Sequence, residues 1–221
     1  MNNRRFLEYI LVLFDIPEKI RRRLKRKIIL TYFEKVGSNF IFDPQNSIIP
    51  EEGKKKVGNN VFIGDNAYLG GDFSIGNNVM FGPNVTLLGG NHLFAILGKS
   101  PRFLRPVPGS NPEPITIEDE TWIGANAVIL GNVTIGIGSV IGAGSVVNDN
   151  VCPFTVYVGN PSRPKRIIFD DSNLLKHLQD IGYDVNKANE IIQRRKRELK
   201  DSELPIINKT DQVRSYLYNP F

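Results

Sequence analysis

The sequence predicts a mainly β protein that coils as a parallel solenoid with six residues in each repeat, flanked by helical segments. A fixed short period indicates a solenoid, and a period of six matches neither an α-helix nor a heptad repeat. We expect three repeats to close a triangular coil of about eighteen residues, with successive coils paired as parallel strands ~4.8 Å apart. The large apolar residues that carry this period are Val57, Ile63, Leu69, Ile75, Phe81 and Leu87, then Ile117, Ile123, Ile129, Ile135, Ile141 and Val147.

Two other positions of the repeat support the same geometry. The residue after each large apolar residue is usually glycine, and the third residue after it is usually Asn, Asp or Gly. These residue types adopt a left-handed backbone at low cost, so we expect them at the corners of the coil. The corner positions are Asn60, Asn66, Asp72, Asn78, Asn84, Gly90, Asn126, Asn132, Gly138, Gly144 and Asn150.

The chain divides into three regions. Residues 1–56 form a helical and irregular N-terminal segment, residues 57–168 form the solenoid, and residues 169–221 form a helical C-terminal extension. In the first region Pro17 marks a helix start and Ile20, Leu24 and Ile28 make an apolar stripe. In the last region Ser172 is a candidate cap for a helix that Gly182 ends, and residues 186–200 predict a second helix.

Composition limits the compartment and the kind of partner. Cys152 is the only cysteine, so no disulfide framework exists and a reducing compartment is natural. No apolar run approaches the ~20 residues of a membrane span, and residues 9–14 are too short for a cleaved signal peptide. We therefore expect a cytoplasmic protein.

Basic clusters lie at residues 21–23, 25–27 and 194–197, within a net charge of +5. The simplest interpretation is solvated faces of amphipathic helices. A second interpretation is weak contact of the basic N-terminus with an anionic membrane surface. No nucleic-acid motif accompanies the cations, so no nucleic-acid partner is expected.

The repeat stops at His92 and resumes at Ile117. The intervening residues 93–114 are proline-rich, which predicts a loop that projects from the solenoid. The chain has two histidines, and His92 stands at the root of this loop in a Gly-Gly-Asn-His sequence. A lone histidine is more often structural, but the imidazole is well suited to accept a proton near neutral pH. His92 is therefore a candidate general base.

Several short motifs around this interruption resemble those of the hexapeptide-repeat acetyltransferases, in particular the galactoside, maltose and nodulation acetyltransferases. The resemblance covers residues 57–168. It implies a left-handed parallel β-helix, a homotrimer with active sites between subunits, acetyl-CoA as the donor and His92 as the general base. The motifs are residues 83–87 (PNVTL), 91–92 (NH), 114–117 (PITI), 122–125 (WIGA), 141–147 (IGAGSVV) and 158–161 (VGNP).

Small residues one coil apart predict a groove for the coenzyme. Gly124 and Gly142 stack at one corner, and so do Ala125 and Ala143, which leaves room for a pantetheine arm. The alternative is that these residues only turn corners; the resemblance favours the groove. It also implies coenzyme contacts at Trp122, Asn148, Arg163, Lys165 and Arg166, although Asn148-Asp149 replaces the Thr-Lys usual in the family.

The acceptor is a sugar by resemblance. The Asn-x-Asn typical of galactoside acetyltransferases is absent from residues 62–66, so simple galactosides and maltose are disfavoured. We expect direct N-acetylation of a nucleotide-linked amino-dideoxy sugar such as GDP-perosamine, in O-antigen or lipopolysaccharide biosynthesis. The alternative is O-acetylation of a polysaccharide hydroxyl. Candidate acceptor residues are Asp65, Asn66, Asp72 and Asn91.

Other function classes fit less well. A γ-type carbonic anhydrase needs three histidines for zinc, so no metal is expected. Acetyltransferases with a nucleotide-binding α/β domain need a Gly-x-Gly-x-x-Gly after a strand, which this sequence does not have. A non-catalytic trimeric β-helix scaffold remains as the non-enzyme alternative. Cys152, far along the axis from His92, is expected to pack as a small apolar residue.

Overall fold

The computed structural model describes residues 17–90, 95–104, 113–199 and 204–207. The helices within these ranges are α1 (Glu18–Leu30), α2 (Asp171–Asp180) and α3 (Val185–Leu199), with a 3-10 turn at Pro101–Phe103. None of them is long and apolar enough to cross a bilayer. The strands are β1 (Lys35–Val36), β2 (Phe40–Ile41), β3 (Lys55–Val57), β4 (Val61–Ile63), β5 (Tyr68–Gly71), β6 (Phe73–Ile75), β7 (Met80–Phe81), β8 (Thr86–Gly89), β9 (Ile115–Ile117), β10 (Trp122–Ile123), β11 (Val128–Leu130), β12 (Val133–Ile135), β13 (Val140–Ile141), β14 (Val146–Val147), β15 (Thr155–Gly159) and β16 (Ser162–Ile167).

The strands form three sheets that the chain visits in turn, which confirms the predicted mainly β solenoid. Sheet A has the order β1-β3-β6-β9-β12, sheet B the order β16-β15-β13-β10-β7-β4-β2, and sheet C the order β14-β11-β8-β5. Neighbouring strands are parallel except for the terminal β15–β16 hairpin. We call the turns between sheets the AB, BC and CA corners.

The predicted period of the coil holds across the interruption. Ile63 pairs with Phe81 one coil later, and Ile123 pairs with Ile141. Phe81 pairs with Ile123 although the proline-rich segment lies between them in sequence. Since the large apolar residues of these strands point inward and are buried, their removal from water supplies the main driving force for coiling.

Most predicted corner residues have the left-handed backbone expected of them. Asp72 does not, because Gly71 takes this conformation instead (φ 81°), and neither Gly90 nor Asn150 is left-handed. Glu120 (φ 61°) and Phe154 (φ 49°) are left-handed although their residue types did not predict it. The predicted positions with positive φ are Asn60, Asn66, Asn78, Asn84, Asn126, Asn132, Gly138 and Gly144.

Side-chain amides and carboxylates connect successive coils at the AB corner. Asn59 Oδ1 accepts from the Ser38 N–H (2.8 Å), Asn77 Oδ1 from the Asn59 N–H (2.9 Å) and Asp119 Oδ1 from the Asn77 N–H (2.8 Å). Each of these bonds satisfies a backbone donor that the tight turn would otherwise leave without a partner. Polar side chains therefore stabilise this corner in addition to the coil backbone.

The C-terminal helices pack on the AB corner near the end of the solenoid. Arg194 donates to Glu118 Oε1 (2.7 Å), and Glu118 Oε2 accepts from the Ile137 N–H (2.8 Å). Asp170 caps α2 by accepting from the Asn173 N–H (2.7 Å), so Asp170 takes the role predicted for Ser172. The apolar contact joins Ile137 and Phe154 of the solenoid to Leu174, Leu178, Ala188, Ile191 and Ile192.

Gly138 is required at the AB corner for two reasons. It has φ +65°, and a Cβ added there would overlap the ring of Phe154. We expect Gly138→Ala to lower the free energy of unfolding by about 2–4 kcal/mol, measured by urea denaturation, because backbone strain and overpacking add. Gly182→Ala is the control, since Gly182 has φ +97° with open space around it and should lose only about 1 kcal/mol. Equal losses would contradict the packing contribution of Phe154.

Candidate functional site

On the side of the predicted general base, the described chain ends at the CA corner. His92 and the acceptor candidate Asn91 lie outside the described residues, but β8 leads directly to them through Gly89 and Gly90. Gly89 stacks on Gly71, where a side chain would overlap the Gly89 backbone. The chain returns at Ile115, whose N–H donates to the Asp72 carbonyl (2.9 Å). The root of the interrupting segment is therefore a close-packed glycine corner beside Asp72.

The predicted coenzyme residues of the middle coils gather at the BC corner. Trp122 lies on the outer face of β10 and is 49% exposed. The Gly124 N–H donates to Ile141 O (2.7 Å) and the Gly142 N–H to Tyr157 O (2.8 Å). A Cβ on Gly124 would come within 2.6 Å of Ala143 N, and one on Gly142 within 2.7 Å of Val158 Cγ1. Coil stacking by itself therefore requires glycine at both positions.

The alanines that follow these glycines differ from them in hydrogen bonding. The N–H groups of Ala125 and Ala143 have no acceptor among the residues that the structure describes. Ala143 is exposed and Ala125 is half-buried. Two backbone donors one coil apart thus border the predicted groove, and they are available to a ligand that lies along the solenoid axis.

The predicted phosphate contacts lie beyond this groove, at the end of the solenoid. The Gly159 N–H donates to Ser145 Oγ (3.1 Å), which holds the β15–β16 turn over the BC corner. Arg163 on β16 lies 3.7 Å from Asp149, and both side chains are well exposed. Lys165 and Asn148 are exposed, and Arg166 is half-buried. Because exposed ion pairs contribute little stability, Arg163 can exchange Asp149 for another anion at small cost.

The acceptor candidates do not all meet on one chain. Asp65 and Asn66 lie at the BC corner, where Asn66 has the left-handed backbone (φ 58°) and the Asp65 carbonyl accepts from the Asn84 N–H (2.8 Å). Asp72 lies at the CA corner, and its Oδ1 accepts from the Lys54 N–H (2.9 Å). The six-residue spacing already assigns Asn66 and Asp72 to successive corners, but it does not show which corners of neighbouring copies could meet.

The same separation applies to the root of the interrupting segment and the predicted groove. The described chain after β8 ends at Gly90 in the CA corner, whereas Gly124, Ala125, Gly142 and Ala143 lie at the BC corner, with the width of sheet C between the two corners. One face of the coil is about six residues long, or at most roughly 20 Å at ~3.3 Å per residue. On a single chain, the last described residue before His92 and the predicted groove therefore lie on different edges of the prism.

One exposed aromatic side chain that the sequence did not single out lies on sheet C, between the BC and CA corners. Tyr68 is 36% exposed on the outer face of β5, and its ring lies across Gly70, where an added Cβ would be 2.7 Å from Tyr68 Cε1. Gly70 pairs with Leu88, just before the root of the interrupting segment. The signal in the sequence was the Tyr-x-Gly spacing, since residues i and i+2 of a strand share one face.

Cys152 has the surroundings of a packed side chain. It is 6% exposed, and its Sγ accepts from the Tyr157 hydroxyl (3.2 Å). Burial raises the pKa of the thiol above its ordinary value. Within the described part of the chain, no group of three or more His, Cys, Asp or Glu side chains is placed to hold a metal ion.

Comparison with known proteins agrees with this architecture. The family model for bacterial transferase hexapeptide repeats matches residues 54–89 and 114–149. A crystal structure of the hexapeptide-repeat acetyltransferase VCA0836 from Vibrio cholerae O1 biovar eltor, complexed with acetyl-CoA, is 30% identical, with a TM-score of 0.56 over 71% of this chain and 80% of that one. The chain belongs to the hexapeptide-repeat transferase family.

Other relatives extend the similarity without covering the whole chain. One relative is SACOL2570 of Staphylococcus aureus (strain COL), whose name describes an inferred acetyltransferase. The two sequences are 42% identical over 118 residues, which cover 52% of this chain and 56% of SACOL2570. The chain thus spans about half the length of the curated relatives it matches. The N-acyltransferase AntD of Bacillus cereus, in complex with dTDP and 3-hydroxybutyryl-CoA, shares the fold at 19% identity, with a TM-score of 0.54 over 72% of this chain and 97% of that one.

We expect Cys152 to react slowly with Ellman's reagent at pH 8 in the folded protein and rapidly in denaturant. Its burial both blocks access and raises the thiol pKa, which lowers the thiolate fraction that reacts. The measurement is the absorbance time course of the released thiolate with and without guanidinium. A fast reaction in the native protein would show that the Cys152 thiol is accessible, and Cys152 would then have to be considered as a nucleophile.

Proposed function

We propose that the protein is an acetyl-CoA-dependent acetyltransferase that acts on a sugar. The observation that carries this proposal is the likeness to VCA0836, which binds acetyl-CoA and matches most of this chain at 30% identity. The BC corner supports it, because the N–H groups of Ala125 and Ala143 have no acceptor there among the described residues, and cations lie beyond them. The solenoid region, residues 57–168, carries the transfer site.

The active form in this proposal is a homotrimer with active sites between subunits. The separation of the CA and BC corners supports it, because a neighbouring copy can bring its CA corner against this chain's BC corner. A second support is the outer face of sheet B, where Ile41, Phe62, Met80 and Trp122 follow one another in register and are each 46–49% exposed. A contiguous apolar ladder on a surface is typical of an interface, and a closed ring of three copies covers it.

The outer face of sheet A provides the contrast. Its corresponding residues are polar: Lys56 pairs with Ser74, and Thr116 with Ser74 and Thr134. A face of this composition can remain in water without cost. The difference between the two sheets favours sheet B as the side that meets the next subunit.

Transfer in this proposal is direct, with His92 as general base. The acceptor amine attacks the thioester carbonyl and His92 takes its proton, so that a C–N bond forms as the C–S bond breaks. The proton then passes to the departing thiolate of coenzyme A. Because the Gly124 N–H already donates to Ile141, the backbone donors left to stabilise the oxyanion are those of Ala125 and Ala143.

The coenzyme in this proposal lies along the BC corner. Trp122, Gly124, Ala125, Gly142 and Ala143 border its pantetheine arm. The coenzyme phosphates meet the end of the solenoid near Asn148, Arg163, Lys165 and Arg166, where guanidinium groups suit phosphate geometry. Asp149 would release Arg163 when a phosphate binds.

The preferred acceptor is the amino group of a nucleotide-linked amino-dideoxy sugar, such as GDP-perosamine in O-antigen or lipopolysaccharide biosynthesis. The missing Asn-x-Asn supports an acceptor other than a simple galactoside. Asp65, Asn66, Asp72 and Asn91 are the acceptor candidates. Asp72 would contribute together with Asn91 and His92 from its own CA corner, while Asp65 and Asn66 would belong to the neighbour's edge. The protein would act in the bacterial cytoplasm.

The acceptor is tested by incubation with acetyl-CoA and a panel of nucleotide-linked amino sugars, with mass spectrometry of the products. One added acetyl group on an amino sugar supports N-acetylation. Acetylation of polysaccharide hydroxyls with none on the amino sugars would favour the O-acetyltransferase alternative. No acetyl-CoA binding by calorimetry would favour a trimeric scaffold.

We expect His92→Ala to lower turnover by about 10²–10⁴-fold, the range usual for loss of a general base. Trimer mass and acetyl-CoA affinity should stay at wild-type values, because the change affects proton removal alone. Steady-state kinetics with light scattering and calorimetry provide the measurements. Full turnover by this variant would exclude His92 as the base.

We expect Ala143→Leu to raise the Kd for acetyl-CoA at least tenfold, equivalent to about 1.4 kcal/mol, because a larger side chain at this exposed corner fills the groove. Ser74→Leu, on the exposed polar face of sheet A, is the matched control and should bind acetyl-CoA normally. Calorimetry measures both. Unchanged affinity in the Ala143 variant would remove the groove from the BC corner.

A further inference from the structure

The apolar stripe of α1 faces away from the solenoid. Ile20 is 49% and Leu24 is 38% exposed, while Ile29 is the buried contact of the helix at 3%. A surface helix normally turns its apolar stripe toward the core. The stripe of Ile20, Leu24 and Ile28 that the sequence indicates is therefore largely a solvent-facing surface on the described chain.

Cations hold the inner side of the helix. Lys25 Nζ donates to Gln45 O (2.8 Å) and Arg26 Nη2 to Phe40 O (2.7 Å), and the Arg26 guanidinium lies 5.1 Å from the centre of the Phe42 ring. Arg22 lies 3.9 Å from the buried Asp43 carboxylate. These contacts fix the orientation of α1, so the outward direction of Ile20 and Leu24 follows from specific bonds.

The outer side of α1 combines the apolar stripe with unpaired positive charge. Arg21, Arg23 and Lys27 make no ion pair with any residue in the described ranges. The helix sequence EKIRRRLKRKIIL contains seven cations and one anion, which gives seven minus one, or +6. On a helical projection, Arg23 and Lys27 lie beside the line from Ile20 to Leu24.

We propose that this outer face of α1 docks on an anionic lipid membrane. Ile20 and Leu24 enter the boundary between headgroups and acyl chains, and the flanking cations meet lipid phosphates, as in interfacial amphipathic helices. The helix lies on the membrane and does not cross it. The proposal rests on the geometry and charge of α1 and is independent of the chemistry at the BC corner.

The positive charge of α1 favours an anionic membrane over other binding partners for this face. A second copy of α1 would bring +6 against +6, which is repulsive. Residues 1–16 contain Arg4 and Arg5 against Glu8 and Asp15, so these side chains sum to zero and leave the helix charge unneutralised. A nucleic acid would bind the cations but gain nothing from Ile20 and Leu24.

The test is sedimentation of the full-length protein with vesicles of phosphatidylcholine, with and without phosphatidylglycerol. We expect binding only to the mixed vesicles and loss of binding as salt screens the charges. Arg23→Gln with Lys27→Gln should weaken partitioning of the protein onto the mixed vesicles about 25-fold. Each cation near the membrane contributes ~1 kcal/mol, or about fivefold in partitioning, and the two factors multiply. Ile20→Ser with Leu24→Ser should weaken it at least tenfold while circular dichroism shows the protein still folded at the assay temperature, because neither residue belongs to the buried core.

The matched control is Lys176→Gln with Arg197→Gln, which removes two exposed cations from α2 and α3. It should bind vesicles like the wild type. Equal binding to neutral vesicles, no binding by the full chain, or equal effects of the control and the α1 variants would each overturn the proposal. A variant at Ile20 and Leu24 that changed the oligomer mass without changing vesicle binding would also overturn it, in favour of a second copy. So would binding of duplex DNA that is weakened by the Ile20 and Leu24 substitutions as much as vesicle binding is. Acetyl transfer to a soluble acceptor should be unaffected in every variant.

Discussion

Close stacking of successive coils is the constraint on which the rest of the structure depends. Each coil donates backbone hydrogen bonds to the next, as from Gly82 to Ile123 and from Gly124 to Ile141, and this spacing leaves no room for a Cβ at several corners. The glycine column that borders the groove is therefore a requirement of stacking, and a ligand groove beside it needs no separate sequence feature. The alanines that follow are the candidate contacts for a ligand, because their N–H groups have no partner in the described part of the chain.

The sequence predicted the structural features that recur in every repeat and missed features found at single positions. The six-residue period predicted which residues point inward. It also predicted that the repeat continues in register after the interruption, since Phe81 pairs with Ile123. It did not predict that Lys55 occupies a core position opposite Phe73, fully buried, with its ammonium donating to the Glu51 and Gly53 carbonyls. Nor did it predict a left-handed Phe154, although the bridge between Ile135 and Val151 places Phe154 at the corner position that Gly138 occupies one coil earlier. At both Lys55 and Phe154 the residue type departs from the repeat, so side-chain identity gives no signal there.

The candidate site shows the same division. Its members were identified by motif, and the structure gathers Trp122, Gly124, Ala125, Gly142 and Ala143 on one edge. The spacing could not predict how close these residues lie to Asp72 and to the segment that carries His92 in another copy. A six-residue period predicts the shape of one coil, but it does not predict which edges of two copies meet. In the proposed trimer, the contrast between the apolar outer face of sheet B and the polar face of sheet A is the feature that would relate the copies. The replacement of a family lysine by Asp149 also has a local consequence, since the carboxylate engages Arg163.

The central claim is that one subunit supplies the base and its neighbour supplies the coenzyme groove. The most direct test mixes two inactive variants, His92→Ala and Ala143→Trp, under conditions that exchange subunits. If the site lies between subunits, an equal mixture should recover about one quarter of wild-type activity, because a random trimer pairs an intact base with an intact groove at about one site in four. Activity no higher than that of the separate variants, with subunit exchange shown by mass spectrometry, would contradict the claim.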